Sequence, residues 1–172
     1  MFINIEIKAR CHDPQKIREY LRSKNAEFKG VDEQTDTYFN SKSGRLKLRE
    51  GLIENNLIFY QRADQSGPKT STFELIKLEE PLRLKAVLES TNGIMVVIKK
   101  QREIYFLENV KFHIDTVPGL GYFMEIEAGN KTNPLLGEQE LRKQCDKYIS
   151  ELDIQKEDLL ERSYSDMLSD NN

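Results

Sequence analysis

The chain has 172 residues, 38% of them apolar and 32% charged, with a net charge of −3. That length can bury a sizeable core in one domain spanning 1–172, and the near balance of charge gives no overall basic field for nucleic acid. Cys11 and Cys145 lie far apart without metal-type spacing, the start lacks a basic then apolar leader, and no apolar run is long enough to span a bilayer. A cytoplasmic protein without a membrane partner is expected.

Residues 2–9 alternate strictly, Ile3, Ile5 and Ile7 against Asn4, Glu6 and Lys8, which predicts a strand. Asp13-Pro14 opens a helix, since Asp can cap it and Pro suits its first position; Ile17, Tyr20 and Leu21 form its apolar stripe, which fades by Asn25. Residues 27–39 are extended, 40–44 are a turn by composition, and 45–49 and 57–62 are strands around a tight turn at Asn55-Asn56. Residues 63–71 read as a loop and 72–78 as a strand. Residues 81–90 read as a helix with Leu84, Val87 and Leu88 inward, closed by Asn92-Gly93. One long strand over 94–107 turns at Glu108-Asn109 into 110–116, and Gly119-Leu120-Gly121 leads into 122–128. A C-terminal helical segment starts at about 138, with Leu141, Cys145, Tyr148, Ile149 and Leu152 on one face, and a short helix over 158–168 precedes a polar end. Eight strands joined mostly by short turns are mostly antiparallel, and such sheets commonly close to remove their edges. The expected fold is α+β: a closed eight-stranded antiparallel β-barrel with flanking helices.

Several strands carry charge at period two. Arg45, Lys47 and Arg49 alternate with Leu46 and Leu48; Tyr60 and Arg62 with Phe59 and Gln61; Lys111, His113 and Asp115 with Phe112 and Ile114. Lys100 and Arg102 share one face, as do Phe123, Glu125 and Glu127. A solvated outer face explains any one of these strands. Five or six together, cations on some and carboxylates on others, suggest an inward-facing charged lumen. Such a lumen cannot be dry and empty, and it suits a polyanion whose phosphates meet Lys and Arg while a divalent cation bridges to carboxylates. Glu125 and Glu127 repel each other unless something takes up their charge, so losing one is expected to spare or raise the stability of the metal-free protein.

Glu6-Ile7-Lys8 resembles the end of the Glu-x-Glu-x-Lys signature that opens the CYTH superfamily, the triphosphate tunnel metalloenzymes. The resemblance continues through 34–39, Gly44 to Arg49, Ser66-Gly67-Pro68-Lys69, the run from Lys99 to Tyr105, His113-Ile114-Asp115, Glu125-Ile126-Glu127 and Ser163-Tyr164-Ser165-Asp166. The Gly-Pro-Lys loop and the Lys-Lys-x-Arg-Glu-Ile-Tyr run are most similar to the class IV adenylyl cyclase branch. The resemblance implies an eight-stranded tunnel binding a triphosphate with Mg²⁺ or Mn²⁺. It implies Glu6, Asp115, Glu125 and Glu127 as metal carboxylates, and Lys8, Lys47, Arg49, Arg62, Lys100 and Arg102 as triphosphate-binding cations. Of these cations, Lys8, Arg62, Lys100 and Arg102 are expected to act in catalysis. Arg45 and His113 share those faces without an assigned role. Asn4 stands where the signature has its first Glu, which removes a charge and should weaken at least one metal site. The expected activity is conversion of ATP to cyclic AMP and pyrophosphate. Hydrolysis of inorganic tripolyphosphate or thiamine triphosphate, or binding of nucleotide or polyphosphate with weak catalysis, are the alternatives. ATP is the first expected partner, nucleic acid is not expected, and a homodimer is kept open.

Overall fold

The computed structural model describes residues 2–62 and 65–169. Residues 63–64, expected in a loop, and 170–172, in the expected polar end, lie outside them. Eight strands, β1 (Phe2–Arg10), β2 (Glu27–Phe39), β3 (Arg45–Glu50), β4 (Asn56–Arg62), β5 (Lys69–Lys77), β6 (Ile94–Leu107), β7 (Val110–Val117) and β8 (Gly121–Gly129), form one sheet. It closes in the order β1-β5-β4-β3-β2-β6-β7-β8 with antiparallel neighbours throughout. β1 pairs on one side with β5 and on the other with β8, so the ring has no open edge among the described residues.

Four helices flank the ring: α1 (Pro14–Ser23), α2 (Pro81–Asn92), α3 (Glu138–Glu151) and α4 (Tyr164–Ser169). Asp13 caps α1, its side chain accepting from Lys16 N at 3.1 Å, and Pro14 follows where its missing N–H costs nothing. The main core lies outside the ring. Ile5, Ile7 and Ala9 of β1, Phe112 and Ile114 of β7, and Met124, Ile126 and Ala128 of β8 are buried with Ile17 and Leu21 of α1 and Leu141 and Cys145 of α3. Cys145 Sγ donates to the Ile5 carbonyl at 3.2 Å, and both cysteines are free, buried thiols. The alternate residues of these strands therefore face the lumen. A second apolar group, with Tyr38, Ile98, Val117, Phe123 and Tyr164, fills one end of it.

Four local expectations need correction. The short helix expected over 158–168 is a 3₁₀ turn at Lys156–Asp158 followed by α4 only from Tyr164. Asn56 begins β4 and Asn55 closes a longer loop, its Oδ1 accepting from Gly51 N at 3.2 Å and its Nδ2 donating to Gly51 O at 2.9 Å. β5 begins at Lys69 and not at Thr72, because Lys69 pairs with Glu6 across β1. The α2 stripe is not inward: Val87 is 57% exposed, and Leu84 and Leu88 are half-buried. Among the described residues α2 packs mainly against β2 and β3, and its apolar residues stay partly exposed. No helix among the described residues is long and apolar enough to cross a membrane.

Candidate functional site

The ring encloses a cavity of about 220 Å³ whose wall is charged. Most of its side chains come from period-two positions on all eight strands, and strand pairing decides which of them meet. Asp36 on β2 lies opposite Arg49 on β3, and beside Ile98 on β6 it reaches Lys100. It accepts from Arg49 Nε and Nη2, both at 2.8 Å, from Lys100 Nζ at 3.2 Å and from Lys47 Nζ at 3.4 Å. Burial alone would raise the Asp36 carboxyl, but Arg49, Lys100 and Lys47 hold it well below the usual carboxylate range. Burial, with Arg102 nearby, pushes Lys100 down to about 7 against the pull of Asp36. One buried anion thus holds three cations on one wall.

Glu54 extends this bank from the β3–β4 loop. Its Oε2 accepts from Arg49 Nη1 at 2.8 Å and Gln34 Nε2 at 3.1 Å. Asp32 fixes the loop by accepting from the backbone N–H of Leu52, Ile53 and Glu54 at 2.7, 2.9 and 3.0 Å. A Cβ at Gly51 would lie 2.6 Å from Asp32 Oδ2 and 2.9 Å from the Glu54 carbonyl, so the loop wraps this carboxylate only with glycine there.

The opposite wall carries the carboxylates. Glu125 Oε1 lies 2.7 Å from Lys8 Nζ and its Oε2 lies 2.8 Å from Arg102 Nη2. Arg102 also forks onto Asp115, with Nε and Nη2 at 2.7 and 2.6 Å. Asp115 is 0% exposed and accepts from Tyr164 Oη at 2.8 Å. Glu6 pairs with Arg62. His113 lies opposite Glu125, its Nδ1 3.3 Å from Glu125 Oε2 and 3.9 Å from Glu127 Oε1. Burial would raise Glu125 and Glu127, yet both are held low, Glu125 by Arg102 and Lys8, Glu127 by His113 and Lys111.

All the expected site residues except Asp115 line the cavity: Glu6, Lys8, Lys47, Arg49, Arg62, Lys100, Arg102, Glu125 and Glu127. Asp115 sits behind the wall, where it positions Arg102. Asn4 lines the cavity, in phase with Glu6 and Lys8. Arg45 is drawn to α4, donating to Ser163 Oγ at 2.8 Å and Asp166 Oδ2 at 3.2 Å. Lys69 of the Gly-Pro-Lys loop is buried and donates to the carbonyls of Leu160 and Glu161 at 3.0 and 2.6 Å, so it holds the C-terminal segment. Tyr164 lies across the lumen's apolar end, with Lys8 Nζ 3.3 Å from its ring centroid. The other end is lined by Phe106, Asn109, Lys111 and Lys131. Asp32, Gln34, Asp36 and Glu54 were missed as site residues. The alternation of Asp32, Gln34 and Asp36 was the available signal for the first three.

A closed antiparallel ring whose lumen pairs cations with carboxylates on both walls and is apolar at one end is suited to a small polyanion. The CYTH domain family matches residues 3–164, and the chain belongs to it. It is 25% identical over 177 aligned positions to a Methanocaldococcus jannaschii protein named "putative adenylate cyclase", covering 96% of this chain and 98% of that one. A solved Pyrococcus horikoshii protein superposes with a TM-score of 0.79 at 24% identity, covering 95% of this chain and 98% of that one. A Hippeastrum protein named "putative adenylyl cyclase", with a dominant triphosphatase activity, superposes with a TM-score of 0.62 at 13% identity, covering 100% of this chain and 97% of that one.

Members of the family use divalent metals, and the residues here fit one. His113, Glu125 and Glu127 each offer a ligand atom, all within 4.8 Å of one another. His113 Nε2 is buried without a hydrogen-bond partner among the described residues.

Proposed function

We propose that the protein is a divalent-metal-dependent adenylyl cyclase, converting ATP to cyclic AMP and pyrophosphate. The observation that carries the reading is the facing of Lys8, Lys47, Arg49, Arg62, Lys100 and Arg102 with Glu6, Glu125 and Glu127 around one cavity. The Methanocaldococcus jannaschii relative, alike along nearly its whole length, supports the choice of reaction. In this reading the chain acts as one tunnel domain, its partners are ATP and a second copy of itself, and it works in the cytoplasm.

The triphosphate enters tail first in this reading, because Lys8, Lys47 and Lys100 lie beside the rings of Tyr164, Tyr38 and Tyr60 toward the apolar end, while Phe106 lines the other end. Lys100, Arg49 and Lys47 are already oriented by Asp36, and Arg102 by Asp115, so little reorganisation accompanies phosphate binding. The ribose 3′-hydroxyl gives up its proton to solvent as its oxygen bonds the α-phosphorus, and the bond from that phosphorus to the bridging oxygen breaks to release pyrophosphate. The cations stabilise the negative charge that collects on the departing pyrophosphate. Glu125 and Glu127, with Glu6 beside them, would hold Mg²⁺ or Mn²⁺, which supplies Lewis-acid polarisation of the phosphates.

Hydrolysis of inorganic tripolyphosphate or thiamine triphosphate is the second reading. It is favoured by the concentration of charge on the phosphate-binding part of the tunnel, and by the activity named for the Hippeastrum protein. Incubation of purified protein with ATP, tripolyphosphate and thiamine triphosphate, each with Mg²⁺ or Mn²⁺, separates the readings. Cyclic AMP with equimolar pyrophosphate is expected. Orthophosphate release without cyclic AMP establishes the second reading, and tight binding without turnover reduces the protein to a binder.

A further inference from the structure

His113 is the one histidine in the tunnel wall; the chain's other histidine, His12, is exposed and pairs with Asp158 on the outside. The β7–β8 register sets His113 directly opposite Glu125, and Glu127 lies two residues on along the same inner face. Nδ1 is thereby 3.3 Å from one carboxylate and 3.9 Å from the other. A neutral ring nitrogen and two carboxylate oxygens converging on one point set lone pairs against lone pairs. Either a proton on Nδ1 or a cation has to stand between them. The ring is only 3% exposed, and its other nitrogen has no partner among the described residues. An orphaned buried nitrogen on a ring turned toward two carboxylates is unusual for a histidine whose task is structural.

We propose that His113 joins Glu127 and Glu125 in a mixed imidazole–carboxylate metal site, and that the imidazole makes the tunnel prefer Mn²⁺, Co²⁺ or Zn²⁺ to Mg²⁺ and Ca²⁺. The proposal rests on the reading of the tunnel as a metal-dependent triphosphate site and specifies its metal. Bonds near 2.0–2.2 Å hold neighbouring ligand atoms roughly 3 Å apart, so the present separations close with small side-chain adjustments. Glu125 already carries Lys8 on Oε1 and Arg102 on Oε2, whereas the one ion pair of Glu127 among the described residues is with His113 at 3.9 Å, Lys111 acting from farther off. Glu127 is therefore the carboxylate with more capacity to spare. Mg²⁺ takes oxygen ligands in near-octahedral geometry and parts with water reluctantly. Imidazole nitrogen strengthens binding of the later first-row ions instead. Three protein ligands leave positions for phosphate oxygens.

The test uses the whole chain without triphosphate. Calorimetric titrations with Mg²⁺, Mn²⁺, Co²⁺ and Zn²⁺ should show Co²⁺ and Zn²⁺ binding at least about tenfold tighter than Mg²⁺. In His113→Asp that preference should shrink about tenfold or more, while Mg²⁺ affinity holds or rises. Nitrogen-15 spectra of the two histidines should show the His113 ring nitrogens displaced by Zn²⁺, with His12→Gln supplying the assignment. Ring nitrogens of His113 that stay put at saturating Zn²⁺, or an unchanged metal ranking in His113→Asp, overturn the proposal. If His113→Asp does not unfold cooperatively in urea, the spectra of the unaltered chain decide alone. Tripolyphosphate titrated into the same protein separates the two levels. Failure to bind it, with or without metal, defeats the tunnel reading; binding with an undisturbed His113 defeats the metal assignment alone.

Discussion

Glu125 and Glu127 are two residues apart on one face, yet the tunnel treats them differently. Lys8 and Arg102 both contact Glu125, so the expectation that its loss spares the metal-free protein is corrected: the basic partners that offset the charge are already there. Glu125→Gln would leave those cations short of an anion inside the ring, and a loss of about 3 kcal/mol in urea unfolding is expected. Glu127→Gln should change stability by roughly 1 kcal/mol or less while lowering metal-dependent turnover about 100-fold. Equal destabilisation by the two substitutions would contradict this division. Asn4 borders the same region, and Gly129 makes room for it, since a Cβ there would overlap Asn4 Oδ1. Asn4→Glu brings a charge within reach of the carboxylate wall and should raise Mg²⁺ affinity up to about tenfold in calorimetry, with the gain shrinking in high salt. An unchanged titration would place Asn4 outside the coordination shell.

At the scale of elements, α4 shows how a short helix can matter through one side chain. Tyr164 Oη donates to Asp115, which in turn holds Arg102 in place. Tyr164→Phe keeps the ring over Lys8 but removes that donor, and should cost about 2 kcal/mol, read from the urea midpoint. Little change would mean that another group or water takes over the Asp115 oxygen. β2 was legible from the β-favouring Thr35, Thr37, Tyr38 and Phe39, although it carries register shifts near Gly30 and Phe39. β6 was legible from a long run with Val96, Val97, Ile98, Ile104, Tyr105 and Phe106 set between turn residues, and the lumen cations because they recur at period two. Asp36 was not, because a lone carboxylate acquires its meaning from its neighbours, and only the placement of β2 between β3 and β6 brings Arg49, Lys47 and Lys100 to it. Asp32 escaped notice for a similar reason: its partners are backbone N–H groups of a loop twenty residues on, where side-chain identity gives no clue. The inward stripe read for α2 failed because apolar spacing says nothing about whether a second layer exists to cover it.

For the whole molecule, crowding cations without their polyanion has a pH signature. Lys100 has a folded pKa of about 7 against 10.5 when unfolded. Between those values the unfolded chain binds a proton that the folded chain does not, so this group makes stability rise as pH increases from about 7. The carboxylates act at the other limit. Asp36, Asp115, Glu125 and Glu127 are all held low, so the stability they contribute is present above their unfolded values near pH 4 and drains away as pH falls below. Urea unfolding should therefore show rising stability from pH 6.5 to 9, a rise that Lys100→Met abolishes. A triphosphate supplies the missing negative charge, so its binding at pH 8 should take up close to one proton. Calorimetry in two buffers of different ionisation enthalpy reads this directly, and identical heats in both would refute it.

If the apolar end of the ring, where Phe123 and Tyr164 meet at 5.0 Å between ring centroids, stays shut, the tunnel has one working door. A passage of that kind empties in the reverse of the order in which it fills. If ATP enters tail first, cyclic AMP stands between pyrophosphate and the exit, and pyrophosphate leaves last. The enzyme form left to the next ATP is then the one that pyrophosphate can also occupy. In steady-state kinetics pyrophosphate would compete with ATP, whereas cyclic AMP would lower the maximal rate even at saturating ATP. A cell that clears pyrophosphate quickly would thereby set the pace of this protein as firmly as one that supplies its nucleotide.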